Sequence, residues 1–261
     1  MSGLAEAFFL LHEGLPRQGP GSDEVTREAL TRLRRAGLDE RLKARERPCV
    51  LDLGCGPGRQ TLTLARELGV VITAVDQHAP FLEELRSAAR AQGLEAIVDA
   101  RLGDFAALHD APGSVDLLWS EGAIYTLGFR SGLERWRPLL PAGGFAAVSE
   151  ATWLTDGPEP EPRAFWSEAY PTMGTVASNS AAAREAGFEV LGAFELPEAA
   201  WWDDYYAPLL DRVERVRPRA LSQGGEGSDL ARAIAETERE IDLYRRFCRS
   251  YGYVFYLLRA A

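Results

Sequence analysis

Hydrophobic and polar positions follow two different periods along the chain. Over residues 4–12 and 23–36 apolar side chains recur at helical spacing. The second segment opens on Ser22 as an N-cap, carries Asp23 and Glu24 in its first turn and stops at Gly37. Between them RQGPGS reads as a tight turn. From residue 48 short β-rich runs alternate with helical segments, the pattern of a parallel sheet built from βαβ crossovers. CVLDLG, VVITAVD, EAIVDARLGD, SVDLLWSEG and GGFAAVSEATW predict five strands. Helices are expected over RQTLTLAREL, closed by Gly69, and over PFLEELRSAARAQ, with a favourable early proline and Gly93 behind it.

The second half is less regular. DGPEPEPRAFWSEAYP reads as a surface excursion ending in a short helix, and NSAAAREAG as another helix. FEVLGAFELP and YGYVFYLLR predict strands six and seven. Roughly fifty residues separate those two, too many for a hairpin loop, so the insert must carry helical structure of its own. The expected fold class is a single α/β domain with a Rossmann-like sheet. Its parts are an N-terminal helical cap (1–47), a cofactor-binding core (48–197), a helical lid insert (198–250) and a final strand (251–259).

Composition narrows the function. The 261 residues carry a net charge of -10, which disfavours a nucleic-acid partner because such binding rests on Lys and Arg neutralising phosphates. Arg32, Arg34, Arg35, Arg41, Lys43, Arg45 and Arg47 make one stretch locally basic, read as a solvated helical face. Cys49, Cys55 and Cys248 are odd in number and widely spaced, so neither a disulfide framework nor a metal site is expected, and a reducing cytoplasm fits. AEAFFLLHEGL lacks the basic leader of a secretory signal, and no apolar run approaches membrane-spanning length.

The chemistry centres on VLDLGCGPGRQTLTLA. Gly54, Gly56 and Gly58 fall between the first strand and its helix, where open parallel sheets bind ligands. A phosphate-binding P-loop needs Lys and then Ser or Thr at the helix start, but Arg59 and Gln60 stand there. A nicotinamide fingerprint needs a third glycine where Thr61 stands. Asp52, inside the strand before the loop, would repel an anion and welcome an ammonium or sulfonium. Asp76 ends the second strand, where an acid can accept hydrogen bonds from ribose hydroxyls. Asp104 and Phe105 end the third, with helix capping by Asp104 as the alternative. The expectation is that these three carboxylates share one crevice.

Taken in order, VLDLGCGPG, VD at 75–76, GDF at 103–105 and VDLLWSEG resemble the class I S-adenosylmethionine-dependent methyltransferases. A narrower likeness, across nearly the whole chain, is to a group of bacterial methyltransferases sharing RQGPGS, WSEGAIYTLGF, VSEATWLTD and YGYVFY. The resemblance implies a seven-stranded sheet whose last strand runs antiparallel between the fifth and sixth. It implies S-adenosyl-L-methionine as cofactor, with Gly54, Gly56 and Gly58 near its methionine part, Asp76 at the ribose, and Gly103, Asp104 and Phe105 at the adenine.

Methyl transfer from a sulfonium is an in-line displacement with an activated leaving group, so the protein mainly aligns the acceptor and excludes water. No metal or triad is needed, and His12, His78 and His109 form none. Ser120, Glu121 and Ile124 are expected at the cofactor, with Glu121 as a general base in the alternative. Gln18 is expected at the cofactor carboxylate, or else in a plain turn; Gln77 and His78 at the ribose or adenine edge; Tyr125 in the reaction pocket, shaping it or reacting. In WWDDYY, Trp201 and Tyr205, and Trp202 and Tyr206, stand four apart and would pair on a helix. They either pack a subdomain or, with Trp153, line the acceptor pocket. The expected partner is a small-molecule methyl acceptor, with a homodimer left open. A nicotinamide-dependent reductase lacks its Tyr-x-x-x-Lys, since Phe129 stands four after Tyr125. A non-catalytic cofactor-binding sensor or partner subunit stands as the alternative.

Overall fold

The computed structural model describes residues 3–222 and 228–261. Seven strands form one sheet: β1 Val50–Leu53, β2 Ile72–Asp76, β3 Val98–Leu102, β4 Leu117–Glu121, β5 Phe145–Trp153, β6 Phe188–Glu195 and β7 Tyr251–Ala260. Their order is β3-β2-β1-β4-β5-β7-β6. The first five are parallel, and β7 lies antiparallel between β5 and β6. Because the order reverses at β1, the C-terminal ends of β1, β2 and β4 open a crevice at the switch point.

Alternation along the strands sorts the core into two faces. Leu51, Leu53, Leu118, Ala146, Val148, Val254 and Tyr256 pack with α6 (Phe129–Trp136) and α8 (Val176–Glu185). Val50, Leu117, Trp119, Phe145, Ala147, Phe255 and Leu257 pack with α2 (Asp23–Arg35) and α4 (Arg59–Leu68). Ser22 caps α2 by accepting from Val25 N–H at 3.2 Å, as the sequence predicts. Arg59–Leu68 reproduces the expected helix, and α5 (Ala79–Ala91) begins one residue before its proline.

Two helices escape the pattern. Gly37 is followed at once by α3 (Leu38–Lys43), and α6 lies between Gly128 and Pro138 with Gly132 inside it, so turn-forming residues mask it. The basic stretch is also not a freely solvated face. Arg34 pairs with Asp39 and Glu67, and Arg41 and Arg45 both reach the buried Asp116 at 2.9 and 3.0 Å.

The insert comprises α9 (Ala199–Trp201), a π-helical turn (Trp202–Tyr206), α10 (Ala207–Ser222) and α11 (Asp229–Phe247). With α1 (Gly3–His12) it builds a separate cluster around Leu11, Trp201, Tyr206, Leu209, Val213 and Tyr244. The π turn changes the aromatic register. Trp202 meets Tyr206 as expected, but Trp201 meets Tyr206 at 5.5 Å, five residues on, and stacks on Tyr244 at 3.9 Å. Among the described residues no helix is long and apolar enough to cross a membrane, and no group of acidic, His and Cys side chains could hold a metal.

Gly58 shows how tightly the loop is fitted. It starts α4 at φ 82°, and a Cβ there would stand 2.3 Å from Leu85 Cδ1. Gly58→Ala is expected to cost roughly 2–4 kcal/mol, combining left-handed strain with overpacking. Urea unfolding measures it, and a loss under about 0.5 kcal/mol contradicts the fit.

Candidate functional site

The crevice holds a cavity of about 160 Å³. Gly54, Gly56, Asp76, Gln77, His78, Phe105, Glu121 and Tyr125 line it, together with Gln18 from the turn after α1. The glycine loop is tied to β2, since Gly54 and Cys55 N–H both donate to the Val75 carbonyl at 2.9 and 3.1 Å. Gly54 and Gly56 have φ of 70° and 55°. A Cβ on Gly54 would lie 2.3 Å from Ala123 Cβ, and one on Gly56 would lie 3.2 Å from Gln18 Cγ.

Asp76 holds this end of the sheet together. Its Oδ2 accepts Gly56 N–H at 2.9 Å and its Oδ1 accepts His78 N–H at 2.8 Å. A carboxylate has about four acceptor positions, so two remain for hydroxyls in the cavity. His78 in turn lies flat on Phe9 of α1, 3.8 Å between centroids, and edge-on to Phe81 at 4.5 Å. Phe9, Phe81, Ala123 and Thr126 also line the cavity, and no local sequence signal marks them.

The N-terminal turn closes the other side. Arg17 is buried, donates to Glu121 Oε2 at 2.9 Å and to Asp23 at 3.3 Å, and leaves its Nε without a hydrogen-bond partner. Gln18 donates to the His12 carbonyl at 3.1 Å, and its Oε1 is buried without a partner. Glu121 Oε1 accepts Trp119 Nε1–H at 2.8 Å and the Thr26 hydroxyl at 2.7 Å. Three donors, one of them the Arg17 guanidinium of the ion pair, fix this carboxylate, the arrangement of a positioning group and not of a free base. Arg17 was missed by the sequence because its partner is distant along the chain.

Several expected residues stand elsewhere. Asp104 is exposed and accepts Ala106 N–H at 2.8 Å, the turn-capping alternative. Asp52 is fully buried, accepts the Thr61 hydroxyl at 2.6 Å and does not line the cavity. Of the three carboxylates expected to share one crevice, only Asp76 lines this cavity. Gly103 packs against Val75 and Gly58 against Leu85, both for close fit. Ser120 is buried and donates to the Leu53 carbonyl at 2.9 Å. Ile124 is buried and packed where Gly132 leaves room for it. Trp201 is enclosed in the insert's core, and Trp153 packs edge-on to Tyr251 at 6.2 Å; neither lines this cavity nor the one beneath the insert. Tyr205 lines the latter.

Burial pushes the Asp52 carboxyl up to about 7, against the opposing Thr61 hydrogen bond, so Asp52 is a weak repeller of anions at neutral pH. Burial likewise takes Glu150 of β5 up to about 8; Tyr170 donates to its Oε2 at 3.2 Å and its Oε1 has no partner. For each acid the unfolded chain ionises first as pH rises, so their contribution to stability falls between about pH 4 and 8. Asp52→Asn and Glu150→Gln are each expected to flatten that decline in urea titrations at successive pH values. A wild-type slope that neither variant reduces contradicts the assignment.

Tyr125 is half-exposed as a residue, but its hydroxyl end is enclosed. That enclosure, then the charges of Glu240 and Glu150, raises its phenol, so it remains protonated at neutral pH and donates hydrogen bonds.

Residues 50–144 match the family model described as a methyltransferase domain. Over 127 residues the chain is 35% identical to the malonyl-[acyl-carrier protein] O-methyltransferase of Salmonella typhimurium, covering 48% of this chain and 46% of that protein. The chain thus spans under half the length of that relative. Two solved structures share the fold almost end to end. The X-ray structure of YjhP from E. coli has a TM-score of 0.76 at 21% identity, covering 98% of this chain and 100% of that one. The methyltransferase from Thiobacillus denitrificans in complex with S-adenosyl-L-homocysteine has a TM-score of 0.73 at 24% identity, covering 97% and 98%.

Proposed function

We propose, for a chain that has the seven-stranded Rossmann-like methyltransferase fold and matches a methyltransferase domain over residues 50–144, that it is an S-adenosylmethionine-dependent methyltransferase acting on a small molecule. The observation that carries the reading is Asp76, which stands at the end of β2 beside a glycine loop with neither a P-loop lysine nor a third nucleotide-type glycine.

The residues present fit the cofactor. Asp76 suits ribose hydroxyls, and Phe105, Phe81 and Ala123 offer apolar surface to an adenine. Arg17 Nε–H, buried and without a hydrogen bond although Asp204 Oδ2 stands 4.0 Å away, suits a carboxylate, with Gln18 beside it. When bound, the cofactor supplies a sulfonium methyl, whose carbon bonds to the acceptor's lone pair as the C–S bond breaks and S-adenosylhomocysteine leaves. The chain's own work is alignment. Glu121 locks Arg17 onto β4, the glycine loop permits close backbone approach, and Tyr125 presents a hydrogen-bond donor at the cavity wall.

Incubation with methyl-labelled cofactor and a metabolite extract tests turnover. Labelled product together with S-adenosylhomocysteine is the expected result. Saturable cofactor binding with no product release in any extract instead supports the sensor.

A further inference from the structure

The insert and α1 enclose a second cavity of about 390 Å³, with α7 (Pro160–Ala169) as its far wall. Its walls are apolar and aromatic, including Phe8, Phe165, Leu209, Tyr205 and Tyr206. Phe8 also lines the cavity at the glycine loop, so the two spaces meet at this side chain.

The charge of this cavity is one-sided. Glu168 and Glu236 are exposed, and Glu240 is half-buried with its carboxyl end enclosed. Against them stands Arg239, whose guanidinium lies over the Phe165 ring at 5.3 Å. His12 is buried and held between the Phe8 carbonyl at 2.8 Å and the Tyr205 hydroxyl at 3.2 Å; burial takes its imidazole down to about 4, so it supplies no cation at neutral pH. Glu240 Oε1 accepts the Tyr206 hydroxyl at 2.8 Å. Among the described residues no Arg, Lys or His nitrogen forms an ion pair with Glu240, although burial raises its carboxyl. As an anion, an enclosed carboxyl walled by phenol rings is costly unless a cation joins it.

We propose that this cavity is the acceptor site and that it takes an organic ammonium, an amine on an apolar body, paired with Glu240 and lying against Tyr205 and Tyr206. The inference rests on the methyltransferase reading and names its substrate class. Aromatic faces attract a desolvated cation, and the acidic rim draws it in while turning anions away. An alcohol or a carboxylate of the same shape leaves Glu240 without its counter-ion. Before an ammonium nitrogen can bond to carbon it must lose a proton. Glu240 takes it, the N–H bond breaking as the O–H bond forms.

The test uses the full chain with saturating S-adenosylhomocysteine, titrated at pH 7 with 2-phenylethylamine and, separately, with 2-phenylethanol. The amine is expected to bind about tenfold more tightly than the alcohol, the size of one charged hydrogen bond. Glu240→Gln is expected to erase that difference with S-adenosylhomocysteine affinity unchanged. Thr237→Lys, one helical turn away on α11, places an ammonium within reach of Glu240 and is expected to exclude the amine even should Glu240→Gln fold poorly. Equal binding of amine and alcohol to the wild type, or amine binding indifferent to both substitutions, overturns the acceptor site. Failure of the wild type to bind S-adenosylhomocysteine overturns the methyltransferase reading instead.

Discussion

Arg17→Ala is expected to destabilise the protein by about 3–5 kcal/mol, as for a buried ion pair broken from one side. Both side chains of the Arg17–Glu121 pair are 4% exposed. Removing the guanidinium strands the Glu121 carboxylate among the Trp119 indole and Thr26 hydroxyl without a cation, and frees Asp23 from one of its two arginines. It also unties the turn that presents Gln18 to the glycine loop. The double variant Arg17→Met with Glu121→Leu is expected to recover much of the loss, because apolar side chains of similar volume replace buried pairs at little cost. Urea unfolding of the two variants measures both effects. A single-variant loss below about 1 kcal/mol means that the pair behaves as a surface contact.

Asp76→Ala is expected to weaken S-adenosylhomocysteine binding by about 1.5–3 kcal/mol, roughly ten- to a hundredfold. Two effects act together: the ribose loses its charged acceptor, and Gly56 and His78 N–H lose the oxygens that order the loop. Asp76→Asn separates them, since its amide oxygen retains one backbone contact without the charge. An affinity unchanged in Asp76→Ala removes that residue from the site.

The sheet was legible because each strand is a short β-rich run and each crossover helix begins and ends on a recognisable signal, such as Ser22 before α2 or Gly69 after α4. Helix α6 was not, since Gly128, Gly132 and Pro138 imitate a loop while tertiary packing of Phe129, Leu133 and Trp136 imposes the helix. At the cavity, Asp76 and the glycine loop were readable because their places at the ends of β2 and β1 follow from the strand, loop and helix pattern along the chain. Asp52 and Asp104 occupied equally suggestive strand ends, yet strand pairing buries one and a local backbone hydrogen bond turns the other outward. Arg17, Phe9 and Glu240 gave no warning. Arg17 meets Glu121 across 104 positions, and the other two reach their cavities on helices that only the folded chain brings together.

On the proposed reading, the cavity at the glycine loop holds an adenosyl amino acid and no pyrophosphate. Calorimetric titration of the wild-type protein with S-adenosylhomocysteine and, in parallel, with NAD tests it most directly. Saturable binding of S-adenosylhomocysteine with no heat from NAD is the predicted result, and binding of NAD alone contradicts it.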